Sequence, residues 1–189
     1  MTILMMIGTI TENNITPLHI AAKWGRTEMV QLLLAASALV DCRTRDGLTP
    51  LHCAARSGHA ELVSLLIDAG ANPSAKTRNG LTPLHMAAQG NHEDVARVLI
   101  MRGASVEDKT GDLLSPLHVA AHCGNREVAR ILLEHQCDVN ARALVSCFNE
   151  TDVCLYFYCC IVVVSVCVFS QVVLETFQFP KSLMGQTYG

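Results

Sequence analysis

The chain has 189 residues, room for one domain and a tail, and half of them are hydrophobic against 16% charged. A net charge of −3 without a basic block gives no signal of nucleic-acid binding. Nine cysteines, an odd number with no Cys-x-x-Cys pair, suit neither a disulfide framework nor a zinc site, and read as free thiols of a reducing compartment.

The chain opens on Met1-Thr-Ile-Leu-Met-Met-Ile-Gly8, which is apolar but lacks the basic start of a secretory signal. This extension, residues 1–12, supplies no polar capping helix for the residues C-terminal to it. Then Thr16-Pro-Leu-His-Ile-Ala-Ala22 recurs as Thr49-Pro-Leu-His-Cys-Ala-Ala55, Thr82-Pro-Leu-His-Met-Ala-Ala88 and Ser115-Pro-Leu-His-Val-Ala-Ala121, always 33 residues on. The period divides the chain into units 13–45, 46–78, 79–111 and 112–144.

Within each unit the residue types predict two helices. Thr16, Thr49, Thr82 and Ser115 suit an N-cap, and the proline after each suits the first helical position. The Ala-Ala pair lets a neighbouring helix come close. Gly25, Gly58, Asn91 and Gly124 come next, the residues that a left-handed backbone favours. The second helix carries apolar stripes at i, i+3 and i+4: Met29/Leu32/Leu33, Leu62/Leu65/Leu66, Val95/Val98/Leu99 and Val128/Ile131/Leu132. Gly70 and Gly103 end two of these helices; Ser37 and Gln136 stand at the same place in the outer units, whose ends are less well specified. Segments such as Asp41–Gly47 and Ser74–Gly80 read as extended arms with a turn at Asp-Gly or Asn-Gly. A helix pair this small cannot bury its own apolar face, but four stacked pairs can.

The expected fold class is therefore all-α: a solenoid of four helix-turn-helix units with projecting β-turn arms. The repeats resemble ankyrin repeats, in four in-register copies covering 132 of 189 residues. Several strings also resemble the membrane-binding repeat domain of the membrane-skeletal ankyrins: Asn14–His19, Arg45–His59, Asn79–Gly90 and Leu117–Gly124. The resemblance implies protein–protein binding, as an adaptor between cytoplasmic segments of membrane proteins and the cytoskeleton, and a place in the cytoplasm at the membrane skeleton.

It also implies roles for residues. The repeated histidines His19, His52, His85 and His118, with their caps Thr16, Thr49, Thr82 and Ser115, hold the stack together by hydrogen bonds within and between repeats. Partner binding falls to the turn tips and the first helices. Carried over, the candidates are Arg43, Arg45, Lys76, Arg78, Lys109 and Arg142 on the arms, and Lys23, Trp24, Arg56, Gln89 and His122 on the helices. Variation on a constant frame is what a recognition surface needs, and also what a solvated face shows. Arg43 and Arg45 beside Lys76 and Arg78 concentrate positive charge, which suits an extended, partly acidic peptide. Trp24 is the one aromatic before Leu144, either an anchor for a partner or a cover for the first repeat's edge.

No chemistry emerges beside this. His59, His92, His122 and His135 have no partners at metal-ligand spacing, and no nucleophile–base set or phosphate-cradling glycine loop is present. The reading is a non-enzyme without cofactor or metal.

After Leu144 the composition changes: residues 145–189 hold eight of the nine aromatics and five of the nine cysteines. Residues 153–174 form an uncharged run of 22, of which 19 are apolar. Three readings compete. A membrane-spanning anchor, which would leave the repeats cytosolic, fits the length but meets nine β-branched residues and little flanking charge. A cap on the fourth repeat meets the aggregation-prone run Cys160–Cys167. Translated intron fits Val145-Ser146, which an in-frame splice-donor sequence encodes.

Overall fold

The computed structural model describes residues 13–138 and Ala141. The N-terminal extension 1–12, Arg142 and the tail 145–189 with its apolar run 153–174 lie outside the described residues. Among the described residues there are eight α-helices and no strand.

The helices come in pairs. In chain order they are α1 (Pro17–Lys23) with α2 (Thr27–Ala35), α3 (Pro50–Ser57) with α4 (Ala60–Asp68), α5 (Pro83–Gly90) with α6 (Glu93–Met101), and α7 (Pro116–Cys123) with α8 (Arg126–Glu134). Each is two turns or so, too short to persist alone in water, so packing must hold it. Every first helix packs on its own second helix, and α1, α3 and α5 each pack on the first helix of the next pair. The second helices α4, α6 and α8 line up behind. The result is a two-layered all-α solenoid.

The alanine pairs lie at the centre of the first layer. Ala21, Ala22, Ala54, Ala55, Ala87, Ala88, Ala120 and Ala121 are all buried, beside Leu18, Leu51, Leu84 and Leu117. Small side chains let the helices approach, and the described core therefore contains no aromatic residue. The second helices bury Leu33, Leu66, Leu99 and Leu132 from the apolar stripes, and also Val30, Val63, Ala96 and Ala129. Met29 and Leu32 are the exceptions among the stripe residues and stay exposed, because no earlier pair among the described residues lies against them.

Each first helix starts in a reciprocal capping box, with histidine at the place more often held by Glu or Gln. The second helices end on left-handed residues in all four units: Ser37, Gly70, Gly103 and Gln136, with φ of 63°, 97°, 87° and 58°. The outer two adopt this conformation without glycine, so the turn is set by the stack and not by the local residue.

The arms turn sharply at Thr44–Gly47, Thr77–Gly80 and Thr110–Leu113. Thr44 N–H donates to Leu48 O at 2.9 Å, Thr77 N–H to Leu81 O at 2.9 Å, and Thr110 N–H to Leu114 O at 3.0 Å. The residue closing each turn has positive φ: Gly47 81°, Gly80 80°, and then Leu113 59°. Leucine is strained there, since its Cβ crowds the backbone, at a cost of about 1–2 kcal/mol. Leu113 is exposed and contributes little packing. Leu113→Gly is expected to stabilise the chain by about 1 kcal/mol, less what glycine loses in chain entropy. A urea midpoint equal to or below the parent's would show that the turn carries no such strain.

Candidate binding surfaces

Three rows of hydrogen bonds tie each unit to the next, and they fix which side chains face outward together. The first row belongs to the repeated histidines. Thr49 N–H donates to His52 Nδ1 at 3.2 Å, and the Thr49 hydroxyl meets the same nitrogen at 2.8 Å. His52 Nε2 then donates across to Leu81 O of the next arm at 3.1 Å. His19 reaches Leu48 O at 3.0 Å, His85 reaches Leu114 O at 3.0 Å, and His118 reaches Ala141 O at 2.9 Å. Both ring nitrogens are thus committed, one as acceptor and one as donor, which requires a neutral ring protonated on Nε2. Burial lowers the pKa of all four and brings His52 to about 4.

The second row runs the other way. His59 Nε2 donates to Lys23 O at 3.2 Å, and His92 Nε2 to Arg56 O at 2.9 Å. Asn125 Nδ2 donates to Ala88 O at 2.6 Å and Gln89 O at 3.1 Å. These residues reach back to the end of the preceding pair's first helix. The glycine there makes room: a Cβ on Gly58 would stand 2.6 Å from the His92 ring. His59 and His92, which metal-ligand spacing leaves without a role, are therefore structural donors. Their 33-residue register with Asn125 was the available signal, because Asn can donate as imidazole does.

The third row is backbone, along the turn tips. Arg45 N–H donates to Asn13 O at 2.9 Å, Arg78 N–H to Asp46 O at 3.0 Å, and Gly111 N–H to Asn79 O at 3.0 Å. The tips pack so closely that a Cβ on Gly80 would come within 2.9 Å of Thr110 Cα. The side chains of Arg45, Asp46, Arg78 and Asn79 are exposed on this fixed edge.

The candidate partner-binding residues separate into three places. Arg43, Lys76 and Lys109 share one register on the arms, and all are exposed. Arg43 Nη1 donates to Lys76 O at 2.7 Å, and Lys76 Nζ pairs with Asp108 Oδ1 at 2.8 Å. Arg45 and Arg78 stand at the tips beyond them. Lys23, Arg56, Gln89 and His122 form a second register at the ends of the first helices, exposed on stacked neighbours. Trp24 departs from both. It lies on the outer side of the first described pair, in a groove with Ile20, Met29 and Leu32, and Lys23 Nζ is 5.6 Å from its ring centroid.

Among the described residues, three of the four cysteines, Cys42, Cys53 and Cys137, are poor nucleophiles. Cys42 Sγ is 3.3 Å from Thr16 Oγ1 and 3.8 Å from His19 Nδ1, which looks like a Cys–His pair. Burial pushes the Cys42 thiol up, whereas a nucleophilic cysteine needs a lowered pKa. Cys53 and Cys137 are pushed to about 11, again by burial. Among the described residues no group of three His, Cys, Asp or Glu could hold a metal ion, and no helix is long and apolar enough to cross a membrane.

A family model described as ankyrin repeats, in three copies, matches residues 2–77 and 70–143. Comparison with curated proteins gives no match.

Proposed function

Since the chain belongs to the ankyrin-repeat family, a family of protein-interaction domains, we propose that its working surface is the row of turn tips together with the exposed ends of the first helices. The observation that carries this reading is the backbone ladder along the tips. It holds Arg45 and Arg78 at fixed spacing on a rigid edge, with Arg43, Lys76 and Lys109 beneath them. A preorganised edge avoids much of the ordering cost of binding. The partner that fits is an extended, partly acidic segment of another protein, laid along the tips and over Lys23, Arg56, Gln89 and His122.

The likeness of Arg45–His59 and Asn79–Gly90 to the repeats of membrane-skeletal ankyrins supports a finer reading. In it the segment is the cytoplasmic part of a membrane protein, and this chain is an adaptor to the cytoskeleton.

The test is binding of a fluorescein-labelled, glutamate-rich extended peptide, followed by anisotropy. Joint reversal of Arg45 and Arg78 to Glu is expected to weaken it about tenfold or more, because two attractive rim charges become repulsive. Affinity of the parent should also fall with added salt. Equal affinity of parent and double variant would remove the tips from the binding surface.

A further inference from the structure

If the turn tips are the binding surface, as proposed above, their spacing also selects the conformation of what lies on them. Arg45 and Arg78 hold equivalent positions in neighbouring units and are both exposed. Lys23 and Arg56 are a second exposed pair in the same relation, at the ends of α1 and α3. The members of each pair are thus one step of the stack apart. That step is the spacing of two packed first helices, since α1 packs on α3 and α3 on α5. Packed helices stand about 8–10 Å apart. The backbone ladder carries the same step out to the tips, where Arg78 N–H donates to Asp46 O at 3.0 Å and Gly111 N–H to Asn79 O at 3.0 Å.

A segment laid along this edge meets one such cation per step, so its acidic side chains must return to the same face at that interval. A β-strand does so every second residue, at about 7 Å, or every fourth, at about 13 Å. An α-helix does so at the seventh residue, at about 10.5 Å. A polyproline II helix does so every third residue, at about 9.3 Å, which alone falls inside the range. The edge also bears the exposed acids Asp46 and Asp112. An unbroken run of glutamates would set some carboxylates against these, whereas one acid per unit leaves the intervening residues uncharged.

We infer that the partner segment binds as a polyproline II helix with an acidic residue at every third position, one facing Arg45 and the next facing Arg78. The residues between them are uncharged. Such a helix has no internal hydrogen bonds to break and is stiff before it binds, which suits a rigid edge.

The probes are three fluorescein-labelled peptides of equal length and equal glutamate count, titrated with the full chain at low salt and followed by anisotropy. The first repeats Glu-Pro-Pro. The second has the same composition, but glutamate and proline alternate and the surplus prolines stand at the ends, so only the interval differs. The third repeats Glu-Gly-Ser, which keeps the interval and removes the stiffness. The first is expected to bind about fivefold tighter than either of the others, the difference that one rim ion pair can make. Arg78→Glu should erase its advantage over the second at unchanged far-ultraviolet circular dichroism. Equal or tighter binding of the second peptide would overturn the interval, and equal or tighter binding of the third would overturn the polyproline II conformation. If all three bind the parent alike and joint reversal of Arg45 and Arg78 to Glu weakens them all, the tips remain the binding surface and this inference falls alone. If the joint reversal changes none of them, both fall together.

Discussion

Replacing His52 with alanine is expected to cost about 3–5 kcal/mol, a large share of what holds a domain of this size folded. The imidazole satisfies three groups at once: the Thr49 amide, the Thr49 hydroxyl and the Leu81 carbonyl. Thr49 and His52 are both buried, so water cannot replace the ring without entering the stack. Leaving a buried polar group unmet costs about 1–3 kcal/mol, and the lost ring leaves a cavity besides. His52→Gln should fall between parent and alanine, because glutamine at this position can still close the capping box but is too short to bridge to the next arm. His19→Ala should cost less, since Thr16 is only half-buried. Urea unfolding of the four proteins reads these differences. A loss below about 1 kcal/mol for His52→Ala would mean that the ring is ornamental to the stack.

Acid should unfold the chain earlier than its carboxylates alone would require. The four repeated histidines have folded pKa values below the ordinary 6.5, with burial the leading cause and His52 at about 4. The unfolded chain takes up protons near pH 6.5, while the folded chain does not. Stability is therefore complete above that pH and falls as pH drops from about 6.5 toward 4. His52 alone accounts for roughly 3 kcal/mol across this window, and the other three add in the same direction. Protonation also places a second N–H against the Thr49 amide donor, so the capping box breaks as the charge enters. Asp68, whose pKa is lowered by Arg102, titrates below this range and does not mask the effect. Urea midpoints taken between pH 7.5 and 4.5 should decline steadily. A flat profile above pH 5 would show that the column does not stay neutral.

The helix pairs were legible in the sequence because their rules are local. A hydroxyl residue, proline and histidine in sequence predict how each first helix starts, and a stripe at i, i+3 and i+4 predicts a buried face. What lies between units was less legible. The left-handed Ser37 and Gln136 lack the glycine that marks the inner units, and Leu113 sits where two other arms have glycine. In each case neighbouring units impose a conformation that the residue itself disfavours. Met29 and Leu32 satisfy the stripe as well as Leu62 and Leu65 do, yet no described pair precedes theirs and they stay open. Periodicity reports which face is apolar and says nothing of whether a neighbour covers it. Trp24 illustrates the same point for the candidate site: its type left anchor and edge cover both open, and only the packing puts it in the groove of Ile20, Met29 and Leu32, away from Lys76 and Arg78. The arm charges were visible as a cluster, whereas the use of Arg43 to hold Lys76 O was not, because the two are 33 residues apart.

The three rows of hydrogen bonds have a consequence for how such a chain can change length. Each row joins the same two positions in every pair of neighbouring units, so every unit presents the same sockets upward and the same plugs downward. Excision of residues 46–78 would bring His19 to the carbonyl of Leu81, and His92 to that of Lys23, with donors and acceptors still matched. Loss of a single residue inside a unit would shift all three rows out of step at once. Whole-unit duplication and deletion are thus nearly silent for this architecture, while the smallest insertions are the most damaging.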